Sequence, residues 1–369
     1  MITWIALGVI FLILCQFVLA VIWVEFYWKN HSNSLPASYP NVSVLVAARN
    51  EEKDLPELLS AFDRLEYPPE KLQFLFADDQ SSDSTARILE EWCAKATNRS
   101  FVTIAESDTG KYNENGKANA LAILEEMATG TYYFFTDADC VVSTTWIQEG
   151  VRCFGEKVGI VLGITHVKAS DLLAEFQKID WWFTLGFVKV ATDLGIPTTG
   201  LGNNMVISQE AYRKSGGFKN LPFCLTEDLE ISRAIQREGF VIAHQVSKEM
   251  LALTKSETSY SNLLTQRKRW MSGVMTLPLY WKVVLALQVI YFGALFLVIY
   301  INPLVGLGLA FSKVLAQSIF LARVVRKAGE RISWIKLLLF DFYNFNTTLL
   351  TILYYFWPAK TKWKSRAYS

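Results

Sequence analysis

Apolar and polar positions divide the chain into two apolar ends and a mixed middle. Met1 to Glu25 runs for about two dozen residues with almost no charge, enough for one helix to cross a bilayer. A cleaved signal peptide is the competing reading. No Lys or Arg precedes the apolar run, and its length and lack of a small-residue cleavage site favour a retained span. Tyr27, Trp28 and Lys29 follow as an interfacial anchor. At the other end, Leu277 to Tyr300, Leu304 to Leu321 and Ile335 to Phe356 form three further apolar segments, the last interrupted by Asp341, Asn344 and Asn346. That polar trio should face protein or water rather than lipid.

The middle begins after a polar linker, His31 to Tyr39. Asn41 to Ala47 is continuously apolar, as a strand buried on both faces is, and runs into Arg49-Asn50-Glu51-Glu52. Leu55 to Phe62 reads as a short helix introduced by Asp54 and Pro56. Leu72 to Phe76 is a second strand ending at Asp78-Asp79, and Ser81 to Ser84 cap a helix that carries Ile88, Leu89 and Trp92. Phe101 to Ala105 is a third strand. The recurring order of strand, polar tip and helix predicts a mostly parallel sheet covered by helices. The aromatic run Tyr132 to Phe135 is a further buried strand, and it stops at Asp137-Ala138-Asp139. Trp146 to Phe154 is read as a helix and Val158 to Ile164 as a strand. Ala169 to Val190 has helical spacing of Leu172, Leu173, Phe176, Ile179, Phe183 and Phe187, which suits either a helix at the membrane surface or an amphipathic core helix.

Composition sharpens this division. The 369 residues are long enough for about two domains. Hydrophobic residues make up 51% and Trp numbers 12, an excess that lies mainly in the two ends. A net charge of +1 gives no broad field for nucleic acid. The five Cys show no C-x-x-C spacing and suggest free thiols, and three dispersed His argue against a multi-histidine zinc centre.

Candidate chemistry sits at the strand ends. Two acidic pairs, Asp78/Asp79 and Asp137/Asp139, fall where open α/β sheets bind ligands, and suggest a site for a nucleotide diphosphate and its metal. A solvated turn is the ordinary alternative for each pair taken alone. Between them, Gly116 and Lys117 stand just before a helix and offer backbone donors and a point charge for phosphate. It is not a P-loop, because Ala118 stands where Ser or Thr is needed. Asn203 and Asn204 can bond a sugar or form a turn. Thr226-Glu227-Asp228 opens a helix, with Thr226 as cap; its acids favour the first turn, or one of them takes a proton from an acceptor hydroxyl. Gln266-Arg267-Lys268-Arg269-Trp270 is a juxtamembrane basic run whose Trp270 can also wall a pocket.

In this order, Asp78-Asp79, Asp137-Ala138-Asp139, Thr226-Glu227-Asp228 and Gln266 to Trp270 resemble the membrane-integrated family 2 glycosyltransferases. That group includes ceramide glucosyltransferases and the cellulose, chitin, hyaluronan and poly-N-acetylglucosamine synthases. The resemblance covers Val42 to Trp270. It implies an α/β GT-A domain, the Rossmann-like nucleotide-diphospho-sugar transferase fold, over residues 40–272. An N-terminal transmembrane helix over 1–28, a C-terminal membrane region over 273–358 and a basic tail over 359–369 complete the expected layout.

The activity so implied is inverting transfer of a sugar from a nucleotide diphosphate, with UDP expected. The resemblance assigns Asp79 and Lys117 to the nucleotide, and Ala47 and Glu51 to the base pocket. Asp139, with Asp137 beside it, would hold Mg2+ or Mn2+. Asp228 becomes the general base, next to Glu227, and Gln266, Arg269 and Trp270 close the acceptor end, where Arg269 offsets pyrophosphate charge. The acceptor is a lipid or lipid-linked hydroxyl, with processive polysaccharide synthesis as the alternative. A nucleotide-sugar-binding receptor without catalysis is the reading from another class. The α/β domain is expected in the cytoplasm of an integral membrane protein, where the basic loop Arg323, Arg326, Lys327 and Arg331 also belongs. Four simple spans would then leave Lys360, Lys362, Lys364 and Arg366 outside, against the positive-inside tendency.

Overall fold

The computed structural model describes residues 1–36, 38–358, 361–363 and 366–368, the last two stretches as backbone only. The tail residues Lys360 and Lys364 lie outside the described residues. The chain forms two compact units, an α/β unit of Lys29–Lys168 and Ala191–Lys255, and a helical unit of Met1–Trp28, Ala169–Val190 and Ser256–Ser369. Two segments of the mixed middle, Ala169–Val190 and the stretch from Ser256, thus group with the helical unit.

In the α/β unit the strands are β1 (Val42–Ala48), β2 (Leu72–Asp78), β3 (Arg99–Thr103), β4 (Tyr132–Thr136), β5 (Val141–Val142), β6 (Val158–Leu162), β7 (Ile164–Val167), β8 (Asn204–Ser208), β9 (Val241–His244) and β10 (Leu251–Thr254). Helix α1 (Ile2–Phe26) precedes them. Helices α2 (Leu55–Phe62), α3 (Thr85–Cys93), α4 (Gly116–Glu125) and α5 (Trp146–Arg152) follow strands, as do α6 (Leu172–Asp193) and α7 (Gln209–Lys214), and α8 (Glu227–Arg237) comes after α7. Helices α9 (Tyr260–Val274), α10 (Leu279–Ile301), α11 (Pro303–Lys327) and α12 (Trp334–Phe356) close the chain before the tail.

The main sheet has the order β3-β2-β1-β4-β8-β6-β9. Strands β1 to β4 pair in parallel and β9 is parallel to β6, while β8 runs antiparallel to both of its neighbours. The mostly parallel sheet is therefore present, with one reversed strand, β8, in its interior. Parallel strands are stable only when covered on both faces, and β1 is buried along its length except at Ala47. Phe62, Phe74, Phe76, Trp92, Phe134 and Trp146 pack together on one face. Because β1, β2 and β4 are parallel, their carboxyl ends share one edge, and the reversed β8 starts from that same edge.

The expected single strand over Val158 to Ile164 is two strands in different sheets, broken at Gly163. A Cβ at Gly163 would lie 2.4 Å from the Asn204 side chain, so the break admits that amide. Asn204 Oδ1 accepts from Trp146 Nε1 at 2.9 Å, and its Nδ2 donates to the Ile164 and Met250 carbonyls at 3.0 and 2.7 Å. Asn204 is thus a buried bracket between the two sheets. Asn204→Ala strands these partners in the core and is expected to cost roughly 1–3 kcal/mol of stability. Thermal unfolding in detergent checks this; an unchanged midpoint would contradict it.

In the helical unit α1 packs against α10 and α11. Helix α6, up to Val190, takes its place here: Phe183 and Phe187 meet Phe17 of α1, Phe187 meets Phe320 of α11, and Phe176 stacks on Tyr343 of α12. Among the described residues three helices, α1, α10 and α11, are long and apolar enough to cross a membrane. The third C-terminal segment is the continuous helix α12. Its Asp341 pairs with Lys313 of α11, which also reaches Gln317 at 2.7 Å, so this polar residue does face protein. Asn346 instead bonds the Phe342 carbonyl of its own helix at 2.7 Å.

Candidate functional site

The tips of β1 and β2 clasp each other. Asn50, at φ 52°, donates its backbone N–H to Ser81 Oγ at 2.9 Å and accepts from the Ser82 N–H at 2.8 Å. Gln80 also takes a positive φ of 58°. These turns leave Ala47 half-exposed at the sheet edge and bury Asp78 and Asp79 beside it. Arg49 Nη1 donates to the Asp79 carbonyl at 2.5 Å and lies 3.8 Å from its carboxylate. Asp78 Oδ1 is buried with no hydrogen-bond partner among the described residues. Helix α3 starts with Asp83 accepting from the Thr85 N–H at 3.0 Å, while Ser84 makes no side-chain cap bond.

Lys117 gathers the second cluster. Helix α4 begins at Gly116, so Lys117 is in its first turn rather than before it. The free backbone donors expected there are already used: Asn115 accepts from the Lys117 and Ala118 N–H groups at 2.9 and 3.2 Å. What remains for phosphate is the Lys117 charge. Its ammonium lies 2.5 Å from Asp137 Oδ1 and 3.2 Å from Glu227 Oε1. Burial alone would lower the Lys117 pKa, but Asp137 and Glu227 outweigh it and hold the ammonium charged.

Asp228 completes this cluster. Thr226 stands at the cap position of α8 without a side-chain cap bond, contrary to expectation. The Asp228 carboxylate accepts from the Gly202 N–H at 3.0 Å and from the Leu229 N–H at 2.9 Å. A Cβ at Gly200 would sit 2.1 Å from the Asp228 carbonyl, so glycine is needed for this approach. Burial, then the neighbouring Glu227 charge, push the Asp228 pKa to about 6, against the lowering pull of Gly202 and Lys117. A carboxyl poised there is ionised at neutral pH yet basic enough to receive a proton. Asn203 is held within the fold edge, its Oδ1 accepting from Thr165 Oγ1 at 3.2 Å and its carbonyl from Thr136 Oγ1 at 3.0 Å.

Asp139 belongs to a third cluster that local sequence reading missed. Lys255, just after β10, places its ammonium 3.5 Å from Asp139 Oδ2, 3.4 Å from Glu51 Oε2 and 2.6 Å from Asp54 Oδ2. Burial, then Asp137, raise the Asp139 pKa, and Lys255 works against them. Among the described residues no group of three or more His, Cys, Asp or Glu is arranged to hold a metal ion. A Mg2+ or Mn2+ ion that bridges phosphates takes only one or two carboxylates from protein, the rest of its shell coming from phosphate and water. Asp137 and Asp139 at one strand end fit that requirement. Cys140 beside them is buried.

Gln266, Arg269 and Trp270 lie on α9, in the helical unit. Gln266 Nε2 donates to Glu257 Oε1 at 3.0 Å, and Trp270 meets Trp181 of α6 edge to face at 5.5 Å. The basic run is partly internal to that unit: Arg267 pairs with Asp180, and Lys268 donates to the Trp357 carbonyl at 2.8 Å.

Comparison with known proteins bears on this geometry. A β-monoglucosyldiacylglycerol synthase of Trichormus variabilis is 27% identical over 262 residues, 70% of this chain and 54% of that protein. A poly-β-1,6-N-acetyl-D-glucosamine synthase of Staphylococcus epidermidis is 26% identical over 63% of this chain and 54% of its own length. The chain thus spans about half the length of these relatives. Among solved structures, the mannosyltransferase PcManGT from Pyrobaculum calidifontis, in complex with GDP-Man and Mn2+, matches with a TM-score of 0.60 at 15% identity. That match covers 97% of this chain and 99% of the other, and the fold is of the GT-A type. The model of Glycosyl transferase family 21 matches residues 6–369, so the chain belongs to that family and is a membrane-associated glycosyltransferase.

Proposed function

We propose that the protein transfers a sugar, with inversion, from a nucleotide diphosphate sugar to a hydroxyl of a lipid or lipid-linked acceptor at the membrane. The observation that carries this reading is the Asp228 carboxylate, fixed by the Gly202 N–H and tuned to about 6, in one cluster with Lys117 and Asp137. A sugar hydroxyl or lipid hydroxyl is a poor nucleophile, so a carboxylate kept off the metal must take its proton as it attacks the anomeric carbon. Asp228 is assigned that role. Glu227 holds the Lys117 ammonium at 3.2 Å and keeps like charge beside the base.

The donor side is assigned to the neighbouring strand ends. Asp79 and Lys117 serve the nucleotide, with Ala47 and Glu51 beside its base, and the buried Asp78 Oδ1 supports a polar group arriving there. Asp139, with Asp137, is assigned to Mg2+ or Mn2+; when bound, the cation neutralises charge on the leaving diphosphate. Gln266, Arg269 and Trp270 are assigned to the acceptor and pyrophosphate by their motif. The lipid acceptor draws support from the printed activity of the monoglucosyldiacylglycerol synthases. The α/β unit is assigned to the cytoplasm, as the basic residues Arg323 to Arg331 favour.

The test is turnover by the purified full chain in detergent, screening nucleotide sugars with Mg2+ or Mn2+ and separating products into lipid and polymer fractions. Label in the lipid fraction is expected. Label in a growing polymer would replace this reading with a polysaccharide synthase, and donor binding without turnover would point to a receptor. A base must be unprotonated to act, so activity is lost as pH falls through its pKa. With Asp228 at about 6, kcat/KM should drop about tenfold per pH unit below that value and level off above it. A pH–rate profile that stays flat from pH 5 to 8 would contradict the assignment.

A further inference from the structure

Lys255 stands in the donor site with no role in the mechanism above. Strand β10 pairs antiparallel with β5, with Ala252 opposite Val142 and Leu253 opposite Val141. Lys255 directly follows β10, and Asp139 lies in the turn two residues before β5. The β5–β10 pairing thus holds the two chain segments that carry Asp139 and Lys255 side by side. The Lys255 ammonium meets Asp139, Glu51 and Asp54 at 3.5, 3.4 and 2.6 Å. Glu51 is buried and Asp139 largely so, and the buried like charges need a cation nearby.

We propose that Lys255 is a placeholder cation: it neutralises Asp139 and Glu51 in the donor-free protein, and so weakens binding of a divalent cation that arrives without a nucleotide diphosphate. This rests on the assignment of Asp139 to the metal. A diphosphate brings negative charge of its own, which compensates the lysine as the metal takes Asp139. Metal and nucleotide then load together, and the empty site does not retain bare metal. Lys255 is a positioning residue for this loading step.

The test is Mn2+ binding to the full chain in detergent without nucleotide, read as loss of the free-ion electron paramagnetic resonance signal. Lys255→Met removes one positive charge about 3.5 Å from the carboxylate and is expected to tighten Mn2+ binding roughly tenfold. Lys255→Arg keeps the charge and should bind Mn2+ as the native chain does, with its melting temperature reporting that the fold is kept. Adding Asp139→Asn to Lys255→Met should abolish the gain. If Lys255→Met binds Mn2+ no tighter while Asp139→Asn weakens binding, the placeholder role is overturned and the metal assignment stands. If Asp139→Asn changes nothing in either background, the metal assignment itself fails, and the placeholder role with it.

Discussion

Asp228→Asn is expected to reduce turnover by about 10²–10⁴-fold while leaving donor affinity near that of the native chain. The asparagine keeps the shape that accepts from the Gly202 N–H, so the α8 start and the Gly200 to Gly202 loop stay in place. What it loses is the ability to take a proton. The acidic limb of the pH profile should disappear with it, because the group that titrates at about 6 is gone. Turnover kinetics together with calorimetric donor titration check both halves. Normal turnover would mean that another group is the base, and reduced donor affinity with unchanged kcat would make Asp228 a binding residue.

Asp139→Asn should lose turnover by a similar factor, roughly 10²-fold or more, and should lose donor affinity as well. The two variants are therefore distinguished by binding, not by rate. Asp139 pairs with Lys255, while Lys117 pairs with Asp137 and Glu227, so its replacement leaves those two ion pairs in place. Added Mn2+ should no longer raise donor affinity in this variant. Unchanged metal-dependent donor binding would remove Asp139 from the metal site and leave Asp137 to be tested there.

Much of the architecture was legible because strand and helix periods dominate the α/β unit. The aromatic run before Asp137 and the apolar run before Asp78 mark strands buried on both faces, and their acidic ends mark the edge of the sheet. The expected kinship with membrane-associated family 2 glycosyltransferases is supported as well. The parts that were not legible depend on pairing between distant residues. Lys255 follows an ordinary strand, and only the pairing of β10 with β5 brings its segment beside Asp139, more than a hundred positions earlier. Gly202 is visible as a loop glycine, but its N–H becomes a carboxylate holder only once α8 is packed. Asn204 reads equally as turn former or ligand; in the fold it is a bracket, because the break at Gly163 lets it bridge two sheets. Similarly, helix α6 is amphipathic in either setting, and ring contacts with Phe17, Phe320 and Tyr343 place it with the apolar helices.

The most direct test of the central claim is the anomeric configuration of the product. A single displacement by a hydroxyl that Asp228 deprotonates requires the configuration at the anomeric carbon to invert. With a donor whose sugar is α-linked to the diphosphate, nuclear magnetic resonance of the isolated product should show a β-linkage to the acceptor. An α-linked product would contradict base-assisted direct attack and would require a nucleophile or a front-face path that the Asp228 cluster does not provide.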